Sequence, residues 1–131
     1  MTTGFMSASE SKALVVKFLD SWARRDLPTI MSCFDDASVY HNVPVAPIRG
    51  KTAIRAVFEG FLGAFSIELI VVNAAANGNV VFTERIDRFD LNGKRFDLPV
   101  NGVFELRGGK IVAFRDYFDL ASFEEPSGLK L

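Results

Sequence analysis

The chain has 131 residues, 15 basic against 16 acidic side chains and a formal net charge of −1. That length fits one domain around one core, expected to span residues 1–131. The even charge excludes the basic stripe of a nucleic-acid-binding protein, and no apolar run nears the roughly 20 residues of a membrane span. Residues 1–10 lack a basic n-region and an apolar h-region, so no signal peptide is expected. Cys33 is the only cysteine; it can form no internal disulfide and lacks the companions of a zinc site. No metal or cofactor is expected, and the cytoplasm is the expected compartment.

Ser7-Ala8-Ser9-Glu10 has capping-box spacing and starts a first helix near Ser7. Val15, Phe18, Leu19 and Trp22 then fall on one helical face, and Arg24-Arg25-Asp26 closes the element. A short second helix follows, with Asp26 as N-cap and Pro28 in its first turn; it is expected to end near Phe34-Asp35-Asp36. Residues 37–43 read as a strand and Pro44-Val45-Ala46-Pro47 as a loop. Gly50 opens a third helix in which Ile54, Val57, Phe58 and Phe61 share a face. From Ser66 the pattern is β: strands over 67–75, 80–90, 94–106 and 111–119. Turns at Asn92-Gly93 and Gly108-Gly109 separate the last three. The tail 121–131 is expected to be irregular, anchored by Phe123.

Helices first and a meander last indicate an α+β domain. The expected shape is a curved sheet folded into a cone, with the N-terminal helices over its concave face and a pocket at the open end. Strand side chains alternate between faces. Val81, Thr83, Arg85, Asp87 and Phe89 therefore share one face. Val112, Phe114, Asp116, Phe118 and Leu120 share another, so Asp116 interrupts an apolar row. The strand between them offers Phe96, Leu98, Val100, Gly102, Phe104 and Leu106. Tyr40 and Asn42 share a face opposite His41. Buried carboxylates without partners cost several kcal/mol. Two of them with Arg85 between would form an acid and a base. The plainer alternatives are a cross-strand ion pair for Arg85 and Asp87, and a core bridge between Asp116 and Arg85.

Arg85-Ile86-Asp87, Gly102-Val103-Phe104-Glu105-Leu106 and Arg115-Asp116-Tyr117-Phe118-Asp119, with Tyr40-His41-Asn42-Val43-Pro44 and Phe123-Glu124-Glu125, resemble the limonene-1,2-epoxide hydrolase family. The resemblance runs in order through nearly the whole chain. It implies a fold similar to nuclear transport factor 2 and ketosteroid isomerase, a frame that hosts many functions. It also implies Asp87 as general acid, Asp116 as base, Arg85 as the bridge between them, and Tyr40 and Asn42 as holders of the nucleophilic water. Phe114 stands where the family often has Trp.

The expected reaction is addition of water to an apolar, cyclic or aryl-alkyl epoxide in one step, giving a vicinal diol without metal or covalent ester. Phe89, Leu98, Val100, Phe114, Phe118 and Phe123 are the expected walls for that substrate. Two rivals are a ketosteroid-isomerase-like isomerase or cyclase, which would leave Arg85 and Asp87 idle, and a non-catalytic dimeric module binding apolar ligands. The outer row Arg115, Tyr117 and Asp119, beside Val103, suggests a homodimer interface.

Overall fold

The computed structural model describes residues 6–131; the first half of the leaderless segment expected at 1–10 lies outside them. Two helices lead the chain, α1 (Ala8–Ala23) and α2 (Leu27–Ser32), followed by strands β1 (Phe34–Asn42) and β2 (Ile48–Arg49) and helix α3 (Lys51–Ala64). Four longer strands follow, β3 (Ser66–Asn77), β4 (Val80–Leu91), β5 (Lys94–Arg107) and β6 (Lys110–Tyr117), and then helix α4 (Leu120–Ser127). The capping box forms: Ser7 Oγ accepts from the Glu10 N–H at 3.1 Å, and Glu10 Oε1 accepts from the Ser7 N–H at 3.0 Å. Asp26 caps α2 through the Thr29 N–H. At the β4–β5 turn, Asn92 and Gly93 both take positive φ (52° and 91°), as a tight two-residue hairpin requires.

The strands make one sheet in the order β2-β1-β6-β5-β4-β3. Its ends do not join: β2 and β3 are the edges. Only β1 and β6 run parallel; every other neighbour is antiparallel. The fold is thus α+β with a mixed sheet. Helices α1 and α3 cover one face, and Phe18, fully buried, is the hub beneath α1. Its ring meets Trp22, Phe34, Phe104 and Phe114 edge-on, with centroids 5.4–6.4 Å apart. Each such pair contributes about 0.5–1.5 kcal/mol beyond area burial. A second cluster, of Phe65, Phe89, Leu98, Val100 and Phe123, occupies the other end of the same face. Along β4 the polar run Thr83, Arg85, Asp87 falls between Val81 of the first cluster and Phe89 of the second.

Several expectations are corrected. The second helix stops at Ser32, because Phe34 is drawn into β1, where it is fully buried and pairs with Ile111. Ile48–Arg49, which the sequence pattern assigns to no element, adds an edge strand to Val39 and Tyr40. The tail is not irregular: α4 forms because Asp119 caps it, its carboxylate accepting from the Ser122 N–H and hydroxyl at 3.0 and 2.7 Å. Asp119 therefore leaves the outer strand row, and Leu120 leaves the row of Asp116. In β6 a register shift puts Ile111 in the core and leaves Val112 half-buried, so the apolar row runs Ile111, Phe114, Asp116.

Candidate active site

The strand register builds the site before any side chain is considered. Asn42 of β1, Asp116 of β6, Gly102 of β5 and Thr83 of β4 are partners across four strands and form one row. Tyr40 and Phe114 stand side by side one row away. Arg85 and Asp87 lie on the other side of that row, beside Val100 and Leu98 of β5. All of these positions alternate onto the helix-covered face. Arg85 is 1 %, Asp87 4 % and Asp116 7 % exposed.

Arg85 joins the carboxylates. Its Nε and Nη2 donate to the two oxygens of Asp87 at 3.0 Å each. Its Nη1 and Nη2 donate to Asp116 Oδ1 and Oδ2 at 3.1 and 3.0 Å, and Nη1 also donates to Thr83 Oγ1 at 3.2 Å. A guanidinium has five N–H groups, and here each has its own oxygen. Beside this cluster the Tyr40 hydroxyl donates to Asn42 Oδ1 at 3.0 Å. His41 turns away, with Nε2 2.8 Å from the Val45 carbonyl.

One positive charge faces two carboxylates in a place that water barely reaches. The Asp87 pKa is raised to about 6, by burial first and by the charge of Asp116, against the pull of Arg85. Burial also pushes Asp116 above the usual carboxylate range, against the pull of Arg85. Burial alone would lower the Arg85 pKa, but its two carboxylates outweigh this and hold it above its ordinary value. The Tyr40 hydroxyl is held up first by burial and then by Asp116, so it stays protonated. Below about pH 6 the two carboxyls share one proton, which balances the single charge of Arg85. Such a cluster offers a carboxylic acid and a carboxylate base side by side.

The cluster opens into a cavity of about 550 Å³, mouth included. All eleven residues singled out from the sequence line it: Tyr40, Asn42, Arg85, Asp87 and Asp116, with Phe89, Leu98, Val100, Phe114, Phe118 and Phe123. Trp22 of α1, Phe61 and Phe65 at the end of α3, Ile67 and Leu69 of β3, and Leu131 complete the wall. Trp22 and Phe61 were legible only as core-facing helical positions, and Phe65, just past the end of α3, carried no sequence assignment. Thr83 and Gly102 were legible as members of the right strand faces but not as parts of the site. Among the described residues, no group of three His, Cys, Asp or Glu is placed to hold a metal ion.

Residues 9–125 match the family model of the limonene-1,2-epoxide hydrolase catalytic domain. The chain is 33% identical over 106 residues to epoxide hydrolase EphG of Mycobacterium tuberculosis, which covers 81% of this chain and 71% of the relative. A solved M. tuberculosis limonene-epoxide-hydrolase-like epoxide hydrolase superposes with a TM-score of 0.83 at 30% identity, over 92% of this chain and 90% of the other. A protein with a ketosteroid isomerase-like fold from Catenulispora acidiphila, in complex with trimethylamine, superposes with a TM-score of 0.77 at 20% identity, over 88% and 92% of the two chains. That last likeness is one of fold alone. The family match spans most of the chain, and the chain belongs to the limonene-1,2-epoxide hydrolase family.

Proposed function

We propose that this chain hydrolyses an apolar, cyclic or aryl-alkyl epoxide to a vicinal diol in one step. The observation that carries the reading is the guanidinium shared between two buried carboxylates at the floor of an apolar cavity. Epoxide opening needs a proton on the departing oxygen and a nucleophile on carbon, and neutral water needs a base to become one. Asp116, ionised, takes a proton from a water as that water's oxygen bonds to the ring carbon. The carbon–oxygen bond breaks, and Asp87 gives its proton to the departing oxygen. The two carboxyls hold one proton before and after; it returns to Asp87 through solvent. Asn42 Oδ1 is taken by Tyr40, which leaves the Asn42 amide N–H and the Tyr40 oxygen lone pairs to orient the water. Each Asp116 oxygen accepts one bond from Arg85 and keeps capacity for the water. Side chains and water supply all of this chemistry.

The isomerase or cyclase reading asks for one carboxylate and a donor, and leaves the bidentate Arg85–Asp87 pair without a task. Turnover of a panel of racemic epoxides, scored for diol, with Asp116→Asn as the blank, decides between them. No diol from any apolar epoxide, with well-folded enzyme, would sink the proposal.

A homodimer is part of the same reading. The outer sheet face exposes Val72 (53 %), Phe82 (47 %) and Tyr117 (46 %) beside the Arg115–Glu105 ion pair at 2.6 Å, a mixture suited to an interface. Light scattering that shows only a 14.5 kDa species at micromolar concentration would contradict it. Cytoplasmic residence rests on the lone buried thiol of Cys33. Among the described residues no helix is long and apolar enough to cross a membrane.

A further inference from the structure

Arg85 and Asp116 do not sit on neighbouring strands. β5 runs between β4 and β6, so their backbones are two strand spacings apart, roughly 10 Å. Their side chains must meet above β5. The β5 residue under the meeting point is Gly102, partner of both Thr83 and Asp116. An ideally placed Cβ at 102 would lie 2.5 Å from Arg85 Nη1, 2.8 Å from Asp116 Oδ1 and 3.0 Å from Thr83 Oγ1. It would stand in the 3.1 Å hydrogen bond between Nη1 and Oδ1. Among the described residues the other glycines show no such crowding: Gly50 meets a single backbone oxygen at 3.7 Å, and the rest meet nothing within 4 Å. The backbone of Gly102 is not in the left-handed region, so alanine there meets no backbone strain. The demand for a missing side chain comes from the ion cluster alone.

We propose that Gly102 is a positioning residue: its bare backbone lets the guanidinium lie flat across β5, and Thr83 fixes how far the guanidinium reaches toward Asp116. With the Nη1 contact intact, Asp116 shares the charge of Arg85 with Asp87 and can remain ionised while Asp87 holds the proton. A methyl group at 102 pushes Nη1 off Asp116 Oδ1. Arg85 keeps both bonds to Asp87, and Asp116 stays buried with less compensation. The shared proton then moves from Asp87 to Asp116, which removes the base and the acid together. This rests on the epoxide hydrolase reading for its effect on turnover; the proton's location is independent of it.

The test uses full-length Gly102→Ala, with Asp Cγ labelled by ¹³C and titrated by NMR, beside diol formation on the epoxide turned over best. The expected result is an Asp87 carboxyl titrating lower than in the wild type and an Asp116 carboxyl titrating higher. The turnover number should fall by at least about 100-fold with little change in KM. Thr83→Val is nearly isosteric and serves where Gly102→Ala is not recovered folded. It deprives Nη1 of one acceptor, and its carboxyl titrations should move in the same sense by a smaller amount. A folded Gly102→Ala with wild-type carboxyl titrations overturns the proposal; so does Thr83→Val with wild-type titrations where it is the only folded variant. If the wild type makes no diol, the enzymatic reading fails and the titrations still decide the role of Gly102.

Discussion

Replacing Asp87 by Asn converts a titrating group into a fixed neutral one of the same shape, and the structure sets the size of the effect. Asp87 has its pKa raised from 3.8 to about 6, first by burial. A folded carboxyl with a raised pKa binds more protons than its unfolded counterpart between those two values. The native state is then most favoured below pH 4 and loses stability as pH rises through 6. About two pH units at roughly 1.4 kcal/mol each make the loss about 3 kcal/mol. Asp87 is 4 % exposed, so little of this is screened by solvent. Other carboxylates act in the opposite sense. Glu10, Asp26 and Asp90 have lowered pKa values through hydrogen bonds to Ser7, to Thr29 and to Gly93 with Arg95, so their contribution is lost as pH falls. They are shared by both proteins and cancel in the difference. Asp87→Asn should therefore gain on the wild type by about 3 kcal/mol between pH 4 and pH 7, or roughly 10 °C in Tm for a chain of this size. Any lost hydrogen bond to Arg85 adds a constant offset and leaves the slope untouched. Denaturant melts at five pH values measure the difference. A flat difference from pH 4 to 7 would mean that the shared proton does not reside at Asp87, and the acid would have to be reassigned.

Asp116→Asn keeps shape and burial but offers Arg85 one fewer acceptor, so the protein should stay folded at a lower melting point while diol formation falls by about 10²- to 10⁴-fold; folded mutant protein with near-wild-type turnover would remove Asp116 as base. Arg85→Ala strands two buried carboxylates and should cost on the order of 3–5 kcal/mol at neutral pH, with a smaller loss at pH 4, where protonation relieves them; equal melting curves for mutant and wild type would refute the cluster. A single turnover in ¹⁸O-water with enzyme in excess should put label in the diol at once. Label found in a peptide containing Asp116 would mean that the carboxylate itself attacked carbon.

What the sequence made legible is uneven, and the reasons are physical. The hairpins β4–β5 and β5–β6 are pinned by Asn92-Gly93 and Gly108-Gly109. A period of two from a known turn then places Arg85, Asp87 and Gly102 on one face with little room for error. An ionisable residue on an apolar row, as Asp116 is, is the kind of anomaly that period exposes. Beyond the hairpins the signal weakens. Phe34 joins β1 through a parallel partner, Ile111, far along the chain, and nothing local announces that pairing. β2 has two residues, too few for any period. α4 carries Pro126 inside it, which reads as a breaker, and its true mark was the Asp119 cap. The bulge that swaps Ile111 for Val112 is one residue in a strand, and one residue is enough to invert a face. Trp22 and Phe61 show the remaining gap: periodicity says that they face inward, but not that a cavity lies there.

The donor count of Arg85 bears on how the reaction can run. Five N–H groups meet five oxygens, four of them carboxylate oxygens of Asp87 and Asp116. Neither carboxylate can swing toward a substrate without giving up a bond to a buried charge, a loss of about 1.5–3 kcal/mol each. Asp116 is held by two such bonds, and its strand is fixed on one side by the Val43 N–H, which donates to the Asp116 carbonyl at 2.9 Å. A group gripped in this way is poorly suited to advance on carbon as a nucleophile. It is well suited to stand still and take a proton from something smaller. The mobile parts of the site are then the proton and the water, and the walls around them are apolar. In the proposed reaction, the grip that keeps the carboxylates in place favours direct attack by water over a covalent ester.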